Sequence, residues 1–332
     1  MGTFGTSFDA LLANATQKAR DLRDSLALGM HSKPRQIVLD DELVCLTNTA
    51  YRRNGQWAAE FVISVFDRHD ELKAHAFEEV LMRLLGVNRG DLIWDRIQYF
   101  VAVPRENVNV LLQHTTGHHR FEVGPTRSNG IMDPQVVLPS EFSRLSQGAV
   151  ANFEVMTPPG YPGRHVVNTI FSEDSDFGVI SGIHFYVVLT KDIDDTIKIS
   201  QVLNRIDLLR NTFLVPEGKP VEGMPDLYQS LSFRLRNPTW FYLSASPWQL
   251  YPFLRQFTSK FYPFGQIILR DMSFVEISSF LSSLTIGTQA FKSDRIEKIH
   301  GWFPNKRFLC IGDSTQRDPE TYGAMYAQSE TN

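Results

Sequence analysis

The chain has 332 residues, and its 33 Lys and Arg nearly balance its 37 Asp and Glu, for a formal net charge of −4. That length holds about two domains and a large core, and the balanced charge excludes the global basic field that attracts nucleic acid. No apolar stretch reaches the ~18 residues of a membrane span, and two cysteines, Cys45 and Cys310, make no disulfide framework.

The first predicted element is a helix over residues 7–29. Phe8, Leu11, Leu12, Ala15, Ala19, Leu22 and Leu26 form one stripe at helical spacing, and Ser7 is placed as the N-cap. Its polar face mixes Lys18, Arg20 and Arg23 with Asp9, Asp21 and Asp24, so packing on a neighbouring domain is expected rather than a basic membrane-surface helix. The N-terminus lacks the basic start, apolar core and cleavage site of a secretory signal. The cytoplasm is the simplest compartment.

From residue 35 to about 180 the signals are mainly β. Residues 42–51 and 56–66 flank Arg53-Asn54-Gly55, a hairpin turn. Residues 70–85 interrupt with a helical pattern. Further strands are expected over residues 107–112, 135–138, 149–156 and 165–171, punctuated by loops such as Pro158-Pro159-Gly160-Tyr161-Pro162-Gly163. A β-rich, sandwich-like domain is the expected packing. His114, His118 and His119 lie close in sequence but without a nearby Cys, so a loop is expected there rather than a zinc site.

After residue 185 strands and helices alternate. Strands are expected at residues 185–189, 240–243 and 308–311, and helices at 202–213, 227–235, 248–260 and 293–302. This is the order of an α/β domain with a doubly wound parallel sheet. The expected organisation is an N-terminal helix (1–34), a β-rich domain (35–180) and an α/β domain (181–327).

The chemistry lies in that last part. Val187-Val188-Leu189-Thr190 stops at Lys191-Asp192-Ile193-Asp194-Asp195-Thr196. Carboxylates this close repel and are costly to desolvate unless a cation sits among them. Arg307-Phe308-Leu309-Cys310-Ile311 repeats the design, ending in Gly312-Asp313-Ser314 with Asp318 beyond. Two strands that deliver acids at their carboxyl ends point to one site on a parallel sheet. A phosphomonoester needs an in-line nucleophile, a proton donor for the leaving alkoxide and positive charge around the phosphoryl oxygens. Asp192 is placed to attack and Asp194 to protonate the leaving group and then activate water. Asp192, Asp313 and Asp318 offer oxygens to Mg2+. Ser244, after Trp240-Phe241-Tyr242-Leu243, is placed to hydrogen-bond a phosphoryl oxygen, and Lys292 to neutralise it. Ser246 and Lys298 are the rivals of Ser244 and Lys292.

These motifs resemble those of the haloacid-dehalogenase-like phosphatases. More narrowly, residues 192–200, Asn211-Thr212-Phe213, Pro220-Val221, Gly223-Met224, Ser246-Pro247-Trp248-Gln249-Leu250-Tyr251 and Gly312-Asp313-Ser314, with Asp318-Pro319-Glu320 and Tyr322, are similar to the App1-type phosphatidate phosphatases. The resemblance covers the C-terminal half. It implies a Rossmann-like, haloacid-dehalogenase-like domain that converts phosphatidate to diacylglycerol with Mg2+. Asp192 would be the nucleophile, Asp194 the acid and base, and Ser244 and Lys292 the phosphate contacts. Asp192, Asp313 and the Asp194 carbonyl would hold the metal. Thr196 is a further substrate contact or a brace for its loop, and Asp318 a metal neighbour or a helix cap. The chain departs from the family pattern at Lys191, Ala245 and Thr315.

Trp248, Tyr251, Phe253, Leu254, Phe257, Phe261, Tyr262 and Phe264 are expected to be mostly core, with a few rings left for acyl chains. Lys198, Arg205, Arg210 and Lys219 are interleaved with Asp207, Glu217 and Glu222. At roughly 1 kcal/mol per basic residue near an anionic surface, this surplus supports transient membrane contact only. Two other readings stand beside phosphatidate hydrolysis: the same mechanism on a soluble phosphoester, and a membrane- or partner-binding role for the β-rich half.

Overall fold

The computed structural model describes residues 33–67, 71–182, 198–199, 205–270, 288–312 and 322–323. The helix expected over residues 7–29 lies outside them, as does the strand expected over 185–189. The chain begins with β1 (Arg35–Gln36), β2 (Glu42–Cys45), β3 (Asn48–Arg53), β4 (Gln56–Glu60) and β5 (Ile63–Asp67). Helices α1 (Glu71–Leu85) and α2 (Trp94–Phe100) follow, then β6 (Val103–Pro104), β7 (Val108–His114), β8 (Arg120–Val123), β9 (Ile131–Met132), β10 (Gln135–Val137), β11 (Val150–Val155) and β12 (Val166–Phe171).

Each long strand expected in the first hairpin is two strands. β3 and β4 pair antiparallel, with Arg53 opposite Gln56. Asn54 and Gly55 both take positive φ, 51° and 79°, the conformation a two-residue hairpin turn requires. Beyond the breaks, β2 and β5 pair with each other in a different sheet. The hairpin therefore crosses from one layer to the other. One layer is an eight-stranded mixed sheet in the order β1-β7-β11-β12-β3-β4-β10, with β8 on β7. The other is the four-stranded set β2-β5-β6 with β9 on β5. Leu43, Ile63 and Val65 from the smaller sheet meet Trp57, Val110, Phe153 and Phe171 from the larger in one buried core.

The C-terminal half contains β13 (Phe177–Gly182), β14 (Lys198–Ile199), α3 (Arg205–Phe213), β15 (Lys219–Pro220), α4 (Met224–Arg234), β16 (Thr239–Pro247), α5 (Tyr251–Phe261), β17 (Gln266–Arg270), α6 (Thr288–Trp302) and β18 (Arg307–Ile311). β17-β16-β13-β18 form one sheet, and every pair in it is parallel. β13 straddles the boundary expected near residue 180 and pairs on both sides with strands of the C-terminal half. β17 went unread in the sequence. Its Gln-Ile-Ile-Leu-Arg run is short, but Gly265 just before it was a usable boundary signal. A Cβ there would lie 2.5 Å from the Trp240 carbonyl oxygen, so β17 approaches β16 as closely as it does only because the residue is glycine.

Alternation divides the sheet's side chains between two faces. Val179, Trp240, Tyr242, Ile267 and Leu269 join a core with Leu209, Phe213, Tyr228, Leu254 and Phe257 from α3, α4 and α5. Ile180, Phe241 and Leu243 turn the other way, to Ile296, Ile299 and Trp302 of α6. Neither core stops at the C-terminal half. The first also takes in Leu81, Ile97 and Phe100 of α1 and α2, and the second Tyr51 and Ala58 of β3 and β4. The Tyr51 ring stacks on Trp302 at 5.4 Å. Buried Arg96 of α2 donates to the carbonyls of Thr212 and Pro216, both at 2.6 Å, satisfying carbonyls at and beyond the end of α3. Its guanidinium lies 3.7 Å over the Phe253 ring. Burial lowers its pKa to about 10, so it stays charged at neutral pH.

Lys306, before β18, is buried, and among the described residues its Nζ has no hydrogen-bond partner. Burial pushes its pKa down to about 8, against the pull of Asp176, Asp174 and Glu173. Between there and the ordinary lysine value of 10.5 the unfolded chain holds the extra proton, so stability rises with pH across that window. Lys306→Met keeps the apolar stem and is expected to raise the melting temperature by a few degrees at pH 7. Thermal scans from pH 7 to above pH 10 should show that gain disappearing. A lower melting temperature at pH 7 would mean that the ammonium is stabilising.

Candidate active site

The parallel sheet reverses its order at β13: the chain passes from β13 to β16 and β17 on one side, then returns to β18 on the other. Crevices outside the carboxyl ends of strands at such a reversal are where open α/β sheets take ligands. The register levels those ends. Gly182 stands opposite Leu243 and Ser181 opposite Ile311. Ser244 and Gly312 are the next residues on their strands, so they flank the end of β13.

Ser244 owes its setting to an irregularity in β16. Leu243 pairs with Ile268 and Pro247 with Arg270, so Ser244, Ala245 and Ser246 together stand opposite Leu269. Such a bulge bends the strand and re-aims its side chains. Both serines are buried. Ser244 Oγ donates to Ser246 Oγ at 2.8 Å and accepts from the Ser246 backbone N–H at 3.2 Å. The two candidates for one role are therefore a bonded pair. On β13, the Ser181 hydroxyl bonds the Tyr228 hydroxyl at 2.7 Å, and Tyr228 stacks on Trp240 at 4.9 Å. Burial raises the Tyr228 pKa well above the phenol value, so it acts only as a neutral brace.

Lys292 lies near the start of α6 and is 1% exposed. That end of the helix is at the carboxyl edge of the sheet, because the guanidinium of Arg270, the last residue of β17, lies 5.3 Å over the ring of Phe291. Lys298, its rival, is committed elsewhere: its Nζ lies 2.7 Å from Glu60 Oε1 and 2.6 Å from Oε2. Burial raises the Glu60 pKa against the pull of Lys298. Arg295 and Lys298 of α6, Glu60 and Asp133 of the β-rich half, and Gln266 of β17 line a cavity of about 50 Å3 at this junction. That is room for water rather than an acyl chain.

Asp192, Asp194, Thr196, Asp313 and Asp318 lie outside the described residues. Gly312, next to Asp313 in sequence, is the first residue after β18. Among the described residues, no three His, Cys, Asp or Glu gather as a metal site. His114 packs edge-on against Phe142 at 4.9 Å, and His119 Nε2 lies 2.7 Å from a Glu141 carboxylate oxygen. Most of the aromatic run after Ser244 is core; Phe264 is exposed, with Arg255 4.5 Å over its ring. β14 and β15 form a two-stranded ribbon, Lys198 opposite Pro220. No helix among the described residues is long and apolar enough to cross a membrane. Arg270 is the polar residue of this edge that the sequence reading missed, because it ends a strand that carried no motif.

Residues 187–332 match the family model described as the catalytic domain of phosphatidate phosphatase APP1. A curated relative, "Phosphatidate phosphatase APP1" of Saccharomyces cerevisiae, is 33% identical over 248 residues, which are 72% of this chain and 39% of that protein. The chain thus spans well under half the length of the relative it matches.

Proposed function

The chain carries an App1-type phosphatidate phosphatase catalytic domain, and from that premise we propose that it hydrolyses phosphatidate to diacylglycerol and phosphate with Mg2+, through an aspartyl-phosphate on Asp192. The observation that carries the reading is the level, parallel edge. β16, which carries Ser244, and β18, which ends two residues before Asp313 in sequence, lie on either side of β13, the last described strand before Asp192. The arrangement supports a haloacid-dehalogenase-like, doubly wound domain.

In this mechanism a carboxylate oxygen of Asp192 attacks phosphorus in line, and the bond to the diacylglycerol oxygen breaks. The Asp194 carboxyl gives its proton to that oxygen. It then takes a proton from water as the water attacks the phosphoaspartate, which frees phosphate and restores Asp192. The Lys292 ammonium offsets charge on the phosphoryl oxygens. The Ser244 hydroxyl turns its hydrogen from Ser246 to one of them, and Thr196 offers another hydroxyl. The oxygen-only donor set of Asp192, Asp194, Asp313 and Asp318 fits Mg2+ rather than a softer metal. When bound, the ion would supply charge stabilisation at the phosphoryl group. Brief collisions with a membrane surface would deliver the lipid.

Phosphate release from phosphatidate vesicles should rise with added Mg2+ and fall with a chelator. The same assay against small sugar phosphates separates the two substrate classes. Release from sugar phosphates but none from vesicles would replace phosphatidate with a soluble phosphoester.

A further inference from the structure

We propose that Arg270 is a second cationic anchor for the substrate's phosphate group, beside Lys292 and Ser244. The inference rests on the phosphomonoester reading of this edge, but on side chains that the structure places. Arg270 ends β17 at the carboxyl edge, opposite Pro247 and directly past the bulge that holds Ser244 and Ser246. An arginine at the end of an edge strand has an easy route to water, yet this one is 8% exposed. Its guanidinium lies over Phe291 at 5.3 Å, and Phe291 immediately precedes Lys292. The Arg295 guanidinium approaches the same ring at 5.4 Å. The contact with Phe291 sets the Arg270 guanidinium beside the helix turn that carries Lys292, at the edge where the β16 bulge holds Ser244.

The chemistry of the two cations is complementary. A lysine ammonium is a point charge, whereas a guanidinium presents paired N–H donors that match two oxygens of a phosphate. During phosphoryl transfer, charge spreads over three equatorial oxygens. Lys292 and the Ser244 hydroxyl do not occupy all of the lone pairs on those oxygens. A planar donor from the neighbouring strand takes the remainder and fixes the phosphate's rotation. A lone serine or threonine phosphate has the same oxygens, so Arg270 selects for a phosphate dianion and not for the lipid tail.

The test uses the full chain with Arg270→Ala, Arg270→Lys and Phe291→Leu. Phosphate release from p-nitrophenyl phosphate and from phosphatidate vesicles is measured, together with inhibition by inorganic phosphate and the melting temperature. Arg270→Ala is expected to raise KM and the inhibition constant of inorganic phosphate together, by about tenfold to a hundredfold. Arg270→Lys should recover only part of that loss, because the charge returns without the fork. Millimolar guanidinium should rescue Arg270→Ala and leave Arg270→Lys unchanged. Phosphate inhibition within about twofold of the parent in both arginine variants would overturn the proposal, as would a fall in kcat alone. If Arg270→Ala does not fold, the other two variants decide. An anchor requires Arg270→Lys to weaken phosphate more than Phe291→Leu, and the reverse order makes Arg270 a packing residue. Asp192→Asn in the same assay separates the two readings: an active Asp192→Asn removes the site itself, whereas an inactive one beside unchanged phosphate inhibition in the arginine variants removes only the anchor.

Discussion

Asp192→Asn is expected to reduce phosphate release to background, on phosphatidate vesicles and on p-nitrophenyl phosphate alike. Unaided hydrolysis of phosphate monoesters is so slow that enzymes accelerate it by up to ~10^21, and an amide of the same shape offers no anionic oxygen to attack phosphorus. Loss of a nucleophile elsewhere costs kcat about 10^6, so the expected result is abolition rather than a dent. The substitution also removes a negative charge from a cluster of acids. Inorganic phosphate should therefore bind the variant at least as tightly as the parent, which calorimetry in the presence of Mg2+ would report. Full turnover by Asp192→Asn would end the aspartyl-phosphate mechanism, and weakened phosphate binding would point to a damaged pocket instead.

Lys298→Met should destabilise the fold by about 3 kcal/mol. Breaking a buried ion pair by removing one partner typically costs about 3–5 kcal/mol, because the other charge is left stranded. Arg295 faces the same carboxylate and the Lys298 side chain is 27% exposed, which together place the expectation at the lower end of that range. Glu60 is 8% exposed, and its pKa is already raised by burial and by neighbouring Asp133. Without Lys298 it rises further. A folded-state pKa above the unfolded one means that the folded form binds the proton more readily, so the penalty shrinks as pH falls and Glu60 becomes neutral. Urea unfolding at pH 7 and pH 5 would read both effects. Glu60→Gln in the Lys298→Met background should recover most of the loss. A single-variant penalty below about 1 kcal/mol, in the range of exposed pairs, would show that water reaches the bridge.

The Glu60–Lys298 bridge also changes the status of the β-rich half. As a sequence it reads as a separate β-rich domain, with membrane or partner binding as one alternative role. In the structure it supplies Tyr51 and Ala58 to the core under α6 and grips the same helix through Glu60. The helix that carries Lys292 is thus held from the catalytic sheet on one side and the β-rich half on the other. Stability and the placement of Lys292 are therefore linked across the two halves.

Local chemistry was legible in the residues. The hairpin at Asn54-Gly55 is a two-residue signal of positive φ, and α1 has a helical period of its own. The strands before Ser244 and Gly312 appeared as short apolar runs. What the residues did not disclose depends on contacts distant in sequence. The expected hairpin strands 42–51 and 56–66 are continuous in pattern, yet each changes sheet partway, because a strand's partner is chosen by the facing layer and not by its own alternation. β17 carries no catalytic motif, so neither it nor Arg270 drew notice.

The sequence by itself determined the family of the catalytic half and the candidates for its chemistry, because a nucleophile, an acid and cationic partners must be particular residue types at workable spacings. Tertiary structure alone decided the surroundings of the two serines and the two lysines. It paired Ser244 with Ser246 across a bulge, tied Lys298 to Glu60, buried Lys292 and laid Arg270 over Phe291. Those outcomes follow from the register between strands and the packing of one helix between two layers. Both are set by burial summed over the whole chain, which no local stretch of residues encodes.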